Sequence, residues 1–234
     1  VSAGCGLLGK AQQPRHYYVL AVDPLDKRES ANLRGLVRIA NMDTASAYDK
    51  FQIVIRESPY QLQYSDLNVW AVKPGRMVSD VIGEALRDAS TFDAITRELG
   101  EKRPDYTMSG NLEALEIYQS GDQWFVHLSM SLSFRSFTDG ELLWAFDFDQ
   151  RKAVPTGNFA TSVRGLSELM SVAIQQSVDS LGQALRTGDR SSIGHATMRR
   201  ERRDVDIAED VNRPPEPPPS APVILPEKKP LRPQ

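Results

Sequence analysis

The run QWFVHLSMSLSFRSF, Gln123–Phe137, alternates without a break. Trp124, Val126, Leu128, Met130, Leu132 and Phe134 fall on one side, and His127, Ser129, Ser131, Ser133 and Arg135 on the other. Side chains of a strand point to opposite faces in turn, so this is a long strand with one apolar and one polar face. A sheet built around it must be covered on one side only. The segment that follows, about 141–151, repeats the pattern, with Leu142, Trp144, Phe146 and Phe148 against Leu143, Ala145, Asp147 and Asp149. Register then constrains the turn between them. A two-residue Asp139-Gly140 loop would set Leu132 opposite Asp147. A three-residue loop, 138–140, pairs Phe137 with Glu141 and sets Phe134 opposite Trp144 and Leu132 opposite Phe146. Only the second keeps both apolar sets on one face, and it puts Gly140 where such loops need a left-handed residue. The three-residue loop is therefore expected.

Two other segments read as strands, HYYVLAV (16–22) and FQIVIRE (51–57), with GLVRIAN (35–41) a weaker candidate. A further strand, about 105–118, changes phase near Ala114, which marks a bulge. Two stretches have helical period instead. Met77, Val78, Val81, Ile82, Ala85, Leu86 and Ala89 form one stripe over about 74–89, with Pro74 in the first turn, where its missing N–H costs nothing. Val163, Leu166, Leu169, Met170, Ala173, Ile174, Ser177, Val178, Leu181 and Leu185 form a longer one, 163–186, with Gly188 as its stop signal. The order β, β, β, α, β, β, β, α predicts an α+β fold. It is a two-layer α/β sandwich: a mainly antiparallel sheet with two amphipathic helices on one face.

The C-terminus differs in kind. From Asn212 it reads NRPPEPPPSAPVILPEKKPLRPQ, which holds nine of the chain's 15 prolines. Such a stretch cannot supply the backbone donors of helix or sheet, and is expected to be a disordered, extended tail. Before it, Met198 to Asp210 is a basic cluster followed by an acidic one, with no apolar stripe. The chain thus divides into a tether (1–14), a folded domain (15–188) and a charged, then Pro-rich tail (189–234). The tail accounts for a mean hydropathy of −0.41 beside a 40% hydrophobic composition. A net charge of −3 argues against nucleic-acid binding by bulk charge. No apolar run is long enough to span a bilayer as a helix.

Candidate chemistry is sparse. Nucleophile-elbow, Walker, dinucleotide-binding and HExxH motifs are missing from the sequence. His16, His127 and His195 share no metal-ligand spacing and read as solvated or structural. Asp147 and Asp149 lie about 7 Å apart on one strand face. They could hold a cation or act as an acid/base pair, but a solvated polar face facing Ser131 and Ser129 accounts for them. The methionines and aromatics sit on core-facing periods and call for no cofactor.

Cys5 is the single cysteine, so it has no disulfide partner and no cysteine-rich zinc site to join. It lies outside any expected element, in VSAGCG, behind the small residues Ala3 and Gly4. That is the box a lipoprotein signal peptidase requires before the cysteine it leaves for acylation, although Ser2 stands where an apolar residue is usual. GLLGKAQQPR then makes a polar tether to the first strand. Cys5 is the expected lipidation site.

The segment AYDKFQIVIRESPYQLQYSDLNVWAVKPGRMVSDVIGEAL, together with HYYVLAV, resembles the ABC-type transport auxiliary lipoproteins, the PqiC-like family. Tyr48, Asp49, Gln52, Ile53, Val54 and Arg56 occupy the places of its strand motif, and Trp70, Ala71 and Pro74 those of the segment leading into a helix. Lys50, Met42-Asp43 and the tail depart from the family pattern. The resemblance covers about residues 16–187. It implies a non-catalytic, lipid-anchored periplasmic protein with partners in an ABC permease/ATPase complex and an MCE-domain subunit, moving lipids between inner and outer membranes. Gly6 follows the cysteine, where aspartate retains lipoproteins in the inner membrane, and so points to the outer membrane. Recognition is expected at strand edges, at Tyr60 and Tyr64, in the tail, or between copies in a homo-oligomer. The alternatives are an outer-membrane assembly scaffold and, through Asp147 and Asp149, an enzyme.

Overall fold

A computed structural model of the chain describes residues 13–24, 33–90, 92–121, 123–155 and 157–187. Cys5, His195, Gly188, the charged cluster at 198–210 and the Pro-rich tail lie outside the described residues. Those residues form nine strands and two helices: β1 His16–Tyr18, β2 Leu33–Ile39, β3 Asp43–Thr44, β4 Gln52–Ser58, β5 Gln61–Trp70, α1 Pro74–Asp88, β6 Phe92–Thr96, β7 Tyr106–Ser120, β8 Gln123–Ser136, β9 Leu142–Val154 and α2 Phe159–Thr187.

The sheet is organised by β7. One edge pairs antiparallel with β8 along its whole length, from Tyr106↔Ser136 to Ser120↔Gln123. The other edge is shared by three shorter strands that lie end to end and run parallel to it: β2 (Val37↔Tyr106), β3 (Asp43↔Asn111) and β4 (Val54↔Glu116). Outside them, β6 pairs parallel with β2, and β5 pairs antiparallel with β4 and parallel with β1. β9 closes the far side against β8. The long ladders are antiparallel, as the alternation requires, and the short flanking ones supply the parallel pairs of a mixed sheet.

Both helices cover the same face. The apolar rows of β7, β8 and β9 meet Met77, Val78, Ile82 and Leu86 of α1 and Leu166, Met170, Ala173 and Ile174 of α2 in one core, with Trp70, Phe134 and Trp144 fully buried. A fully buried large side chain of this kind contributes about 1.5–3 kcal/mol. The indole N–H of Trp144 donates to Ser180 Oγ at 3.1 Å, so its one polar atom is not stranded. α1 opens on Pro74, as expected. α2 starts a turn earlier than its apolar stripe, because Asn158 caps it: the Asn158 side-chain oxygen accepts from the Ala160 N–H at 2.8 Å.

The expected phase change is a bulge. Register slips between Leu112 and Ala114, leaving Glu113 as the extra residue of β7. The β8–β9 hairpin keeps the expected core register, Phe134↔Trp144 and Leu132↔Phe146, but reaches it differently. Ser136 N–H donates to the Glu141 carbonyl and Gly140 N–H to the Ser136 carbonyl, so the loop holds four residues, 137–140, and Phe137 does not pair with Glu141. A second bulge, at Leu143 between Arg135↔Leu142 and Phe134↔Trp144, absorbs the added residue. Gly140 has φ +75°, the left-handed value expected there.

Other elements differ more. β1 ends at Tyr18 rather than at residue 22, because the chain then turns towards the helices: Leu20 N–H meets Met77 Sδ and Ala21 N–H donates to Ser167 Oγ. β5 and β6 are strands that the sequence reading left as connections. β5 breaks step with β4 between Val54↔Tyr64 and Gln52↔Val69, which removes a simple alternation from its sequence.

Candidate functional site

The face of the sheet away from the helices carries the site. Val54 of β4 pairs with Glu116 of β7, which pairs with His127 of β8, which pairs with Arg151 of β9, so one row crosses four strands. Glu116 is 1% exposed, and a buried carboxylate is costly unless its oxygens are bonded. Here they are. The Tyr48 hydroxyl donates to Oε2 at 2.5 Å, Arg56 Nε donates to Oε1 at 2.8 Å, and His127 Nδ1 lies 2.9 Å from Oε1. Arg56 Nη2 also donates to the Tyr48 oxygen at 2.9 Å and Nη1 to the Pro59 carbonyl at 3.3 Å, which closes the network onto the β4–β5 turn. On the other side of the imidazole, His127 Nε2 lies 2.9 Å from Asp149 Oδ1.

Burial pushes the Glu116 carboxyl up, but hydrogen bonds from His127, Arg56 and Tyr48 outweigh it and hold the group at about 2. Burial first, then the bond to Glu116, pushes the Tyr48 hydroxyl up to about 12. The bond to Glu116 raises Arg56 further, against the effect of its burial. The network is locked as carboxylate, phenol and guanidinium over the neutral range.

A cavity of about 390 Å³ opens beside it, with Arg56, Glu113, Tyr118, Ser129 and Arg151 in its wall. Ser129 donates to Glu113 at 3.1 Å, and the Arg151 guanidinium stands 5.7 Å from the Tyr118 ring centroid. The arrangement can hold strands together and present a polar wall. It does not activate a nucleophile, because His127 meets a carboxylate at each ring nitrogen and has none left to accept a proton from a hydroxyl. Among the described residues no group of three or more His, Cys, Asp or Glu is arranged to hold a metal ion.

The residues singled out from sequence are distributed as follows. Asp147 and Asp149 face Ser131 and Ser129 in register, and Asp149 in addition orients His127. His127 is buried and structural, whereas exposed His16 is in edge strand β1. Tyr60 stands at the β4–β5 turn, 99% exposed. Tyr64 belongs to β5 rather than to a loop, packs against Tyr48, Val54 and Ala114, and carries Lys50 4.8 Å above its ring. Asp49 pairs with Lys73 at 3.1 Å. The sequence reading missed Glu116. Its signal was the bulge: once Glu113 is set aside as the extra residue, Glu116 falls opposite His127.

These features define an α/β domain with one helix-covered face and one open, polar face pinned by a buried glutamate. Solved structures share its fold, two of them as follows. One is a Xanthomonas campestris protein of the DUF330 family, 17% identical, with 76% of this chain and 99% of that chain covered and a TM-score of 0.64. The other is an uncharacterized protein, 13% identical, with 72% and 99% covered and a TM-score of 0.58. A PelC dodecamer from Paraburkholderia phytofirmans is more distant, at 14% identity, 70% and 94% coverage and a TM-score of 0.40. No curated protein matches the chain. The model of the family described as ABC-type transport auxiliary lipoprotein component matches residues 18–176, and the chain belongs to that family.

Proposed function

We propose that the chain is a non-catalytic, lipid-anchored auxiliary of an ABC-type transport system that includes an MCE-domain subunit and moves lipids between the inner and outer membranes. It acts by binding protein partners, anchored through Cys5, most simply at the outer membrane. The observation that carries this reading is where the family resemblance goes in three dimensions. Tyr48 and Arg56, two of the residues on which the resemblance rests, converge on Glu116 with every bond satisfied. They spend their chemistry on shaping the open face and the turn at Pro59, and leave no reactive group behind. A surface held rigid in this way suits recognition, since little ordering entropy remains to be lost on binding.

The test is co-purification from a Gram-negative host that expresses the full-length chain with the permease, ATPase and MCE-domain proteins of such a transport system. The expected result is a complex that survives detergent extraction and contains the MCE-domain protein. Recovery of the chain free of all three, or with an outer-membrane assembly machine instead, would contradict the reading.

A further inference from the structure

Among the described residues β9 pairs with β8 alone, so its other side is an open edge of the sheet. At 13 residues it far exceeds the other strands with a single neighbour, β1 with three, β3 with two and β6 with five. An edge strand leaves its outward N–H and C=O groups to water. It templates a further strand unless short length, proline, a bulge or a guarding charge prevents it. β9 has little such protection. Leu142–Val154 contains no proline or glycine, and beyond the bulge at Leu143 its ladder with β8 runs unbroken from Trp144 to Val154. Asp149–Ala153 are exposed in a row. Lys152, the residue placed to guard that edge, is tied to Glu168 of α2, and Arg151 leans back over the sheet towards Tyr118.

We propose that the β9 edge pairs antiparallel with β9 of a second copy of this chain, about a two-fold axis at Gln150, and joins two sheets into one. The charge pattern of β9 carries the choice of occupant. A pairing centred between two residues would set the polar face of one copy against the helix-covered face of the other, so the centre falls on a residue. Centred on Asp147 or Asp149, that carboxylate meets itself, and centred on Phe148, Asp147 meets Asp149. Centred on Arg151 or Lys152, that cation meets itself. Centred on Gln150, Asp149 of each copy stands opposite Arg151 of the other, twice, with no like charges opposed. On the open face Asp147 then meets Ala153. On the helix-covered face Phe148 meets Lys152, and half-buried Phe146 meets Val154, which extends the core row across the junction. An axis perpendicular to the sheet also keeps both copies of α2 on one side, with their outer flanks turned to each other. Val172, an exposed large hydrophobic residue of α2 at 41%, lies one turn beyond Glu168, on the flank that reaches Lys152. The pairing gives it cover. This inference goes beyond the function proposed above and does not rest on it.

The experiment is sedimentation equilibrium of the full chain carrying Cys5→Ala, which removes both acylation and a disulfide-linked pair. The expected result is a reversible equilibrium between the 26.1 kDa chain and its dimer. Arg151→Asp opposes two carboxylates twice over, and Asp149→Arg two guanidinium groups, so each should weaken the dimer roughly tenfold. Mixed together, the two variants restore both opposite pairs, and the mixture should form a heterodimer as tight as the parent. Circular dichroism establishes that each is folded. Ala153→Lys, at an exposed position outside the Glu116 network, sets a cation opposite Asp147 of the copy and should tighten the dimer several-fold, so the test stands even where Asp149→Arg unfolds. A chain that stays monomeric at every concentration overturns the proposal and leaves the edge to a strand of another protein. A dimer that Arg151→Asp and Ala153→Lys leave unchanged overturns it too, since the contact then lies on another surface.

Discussion

Arg56 and Glu116 stand 60 residues apart in sequence and meet at 2.8 Å on the uncovered face of the sheet. The parallel ladder of β4 on β7 places them there: Val54 is level with Glu116, so Arg56 lies one side-chain repeat further along the same face and reaches back. The pair ties β4, with the turn that follows it, to the central strand.

Removing the acceptor takes a partner from Tyr48, Arg56 and His127 at once. Glu116→Leu should cost about 3 kcal/mol, because the Tyr48 hydroxyl and the Arg56 guanidinium lose the group they were placed to meet. Arg56→Met should cost less, since Glu116 keeps Tyr48 and His127. Denaturant midpoints of the two variants measure this, and equal, sub-kilocalorie losses would show that the network is peripheral to stability.

The same network makes stability depend on pH at both ends. The folded state lowers Glu116 from its ordinary 4.5 to about 2, so its contribution is complete above pH 4.5 and is lost as pH falls towards 2. Tyr48 is raised from 10.0 to about 12, so its contribution is complete below pH 10 and is lost as pH rises towards 12. Urea midpoints measured across pH should fall in both windows. Glu116→Gln should flatten the acid limb and Tyr48→Phe the alkaline one, with the opposite limb unchanged in sign.

Two glycines should respond to alanine for different reasons. At Gly110 a Cβ would lie 2.2 Å from the Ser131 carbonyl oxygen, so β7 and β8 must separate, and Gly110→Ala should cost more than about 2 kcal/mol. At Gly140 the space is open and only the positive φ resists, so Gly140→Ala should cost about 1 kcal/mol. Thermal unfolding of the pair ranks them, and a reversed order would mean that the strands yield more easily than the turn.

Asn158→Ala should remove about 1 kcal/mol by uncapping α2, and should fray its first turn without touching the stripe from Val163 onward. Amide exchange at residues 160–162 reports it directly.

The long hairpins were legible because one apolar face leaves a period of two that no other structure imitates. The bulge at Glu113 was visible as a phase slip, and the core register of β8 on β9 followed from keeping Phe134 against Trp144. The turn was not fixed by that argument, since a bulge at Leu143 compensates for a fourth loop residue and both solutions bury the same side chains. β5 stayed hidden because its step against β4 is broken, and β6 because FDAIT is short and half exposed. The network was half legible. Tyr48 and Arg56 stood out through a family resemblance, but what they meet depends on three strands coming into register, and Glu116 sits among leucines and isoleucines where a lone carboxylate looks like an exposed edge.

The central claim is an envelope adaptor held to a membrane through its one cysteine. Intact-mass spectrometry of the full-length precursor expressed in a Gram-negative host tests it most directly. The account predicts cleavage immediately before Cys5 and a mature chain whose added mass is that of a diacylglyceryl group with or without an N-acyl chain. A mature protein that keeps an unmodified Cys5 thiol would contradict it.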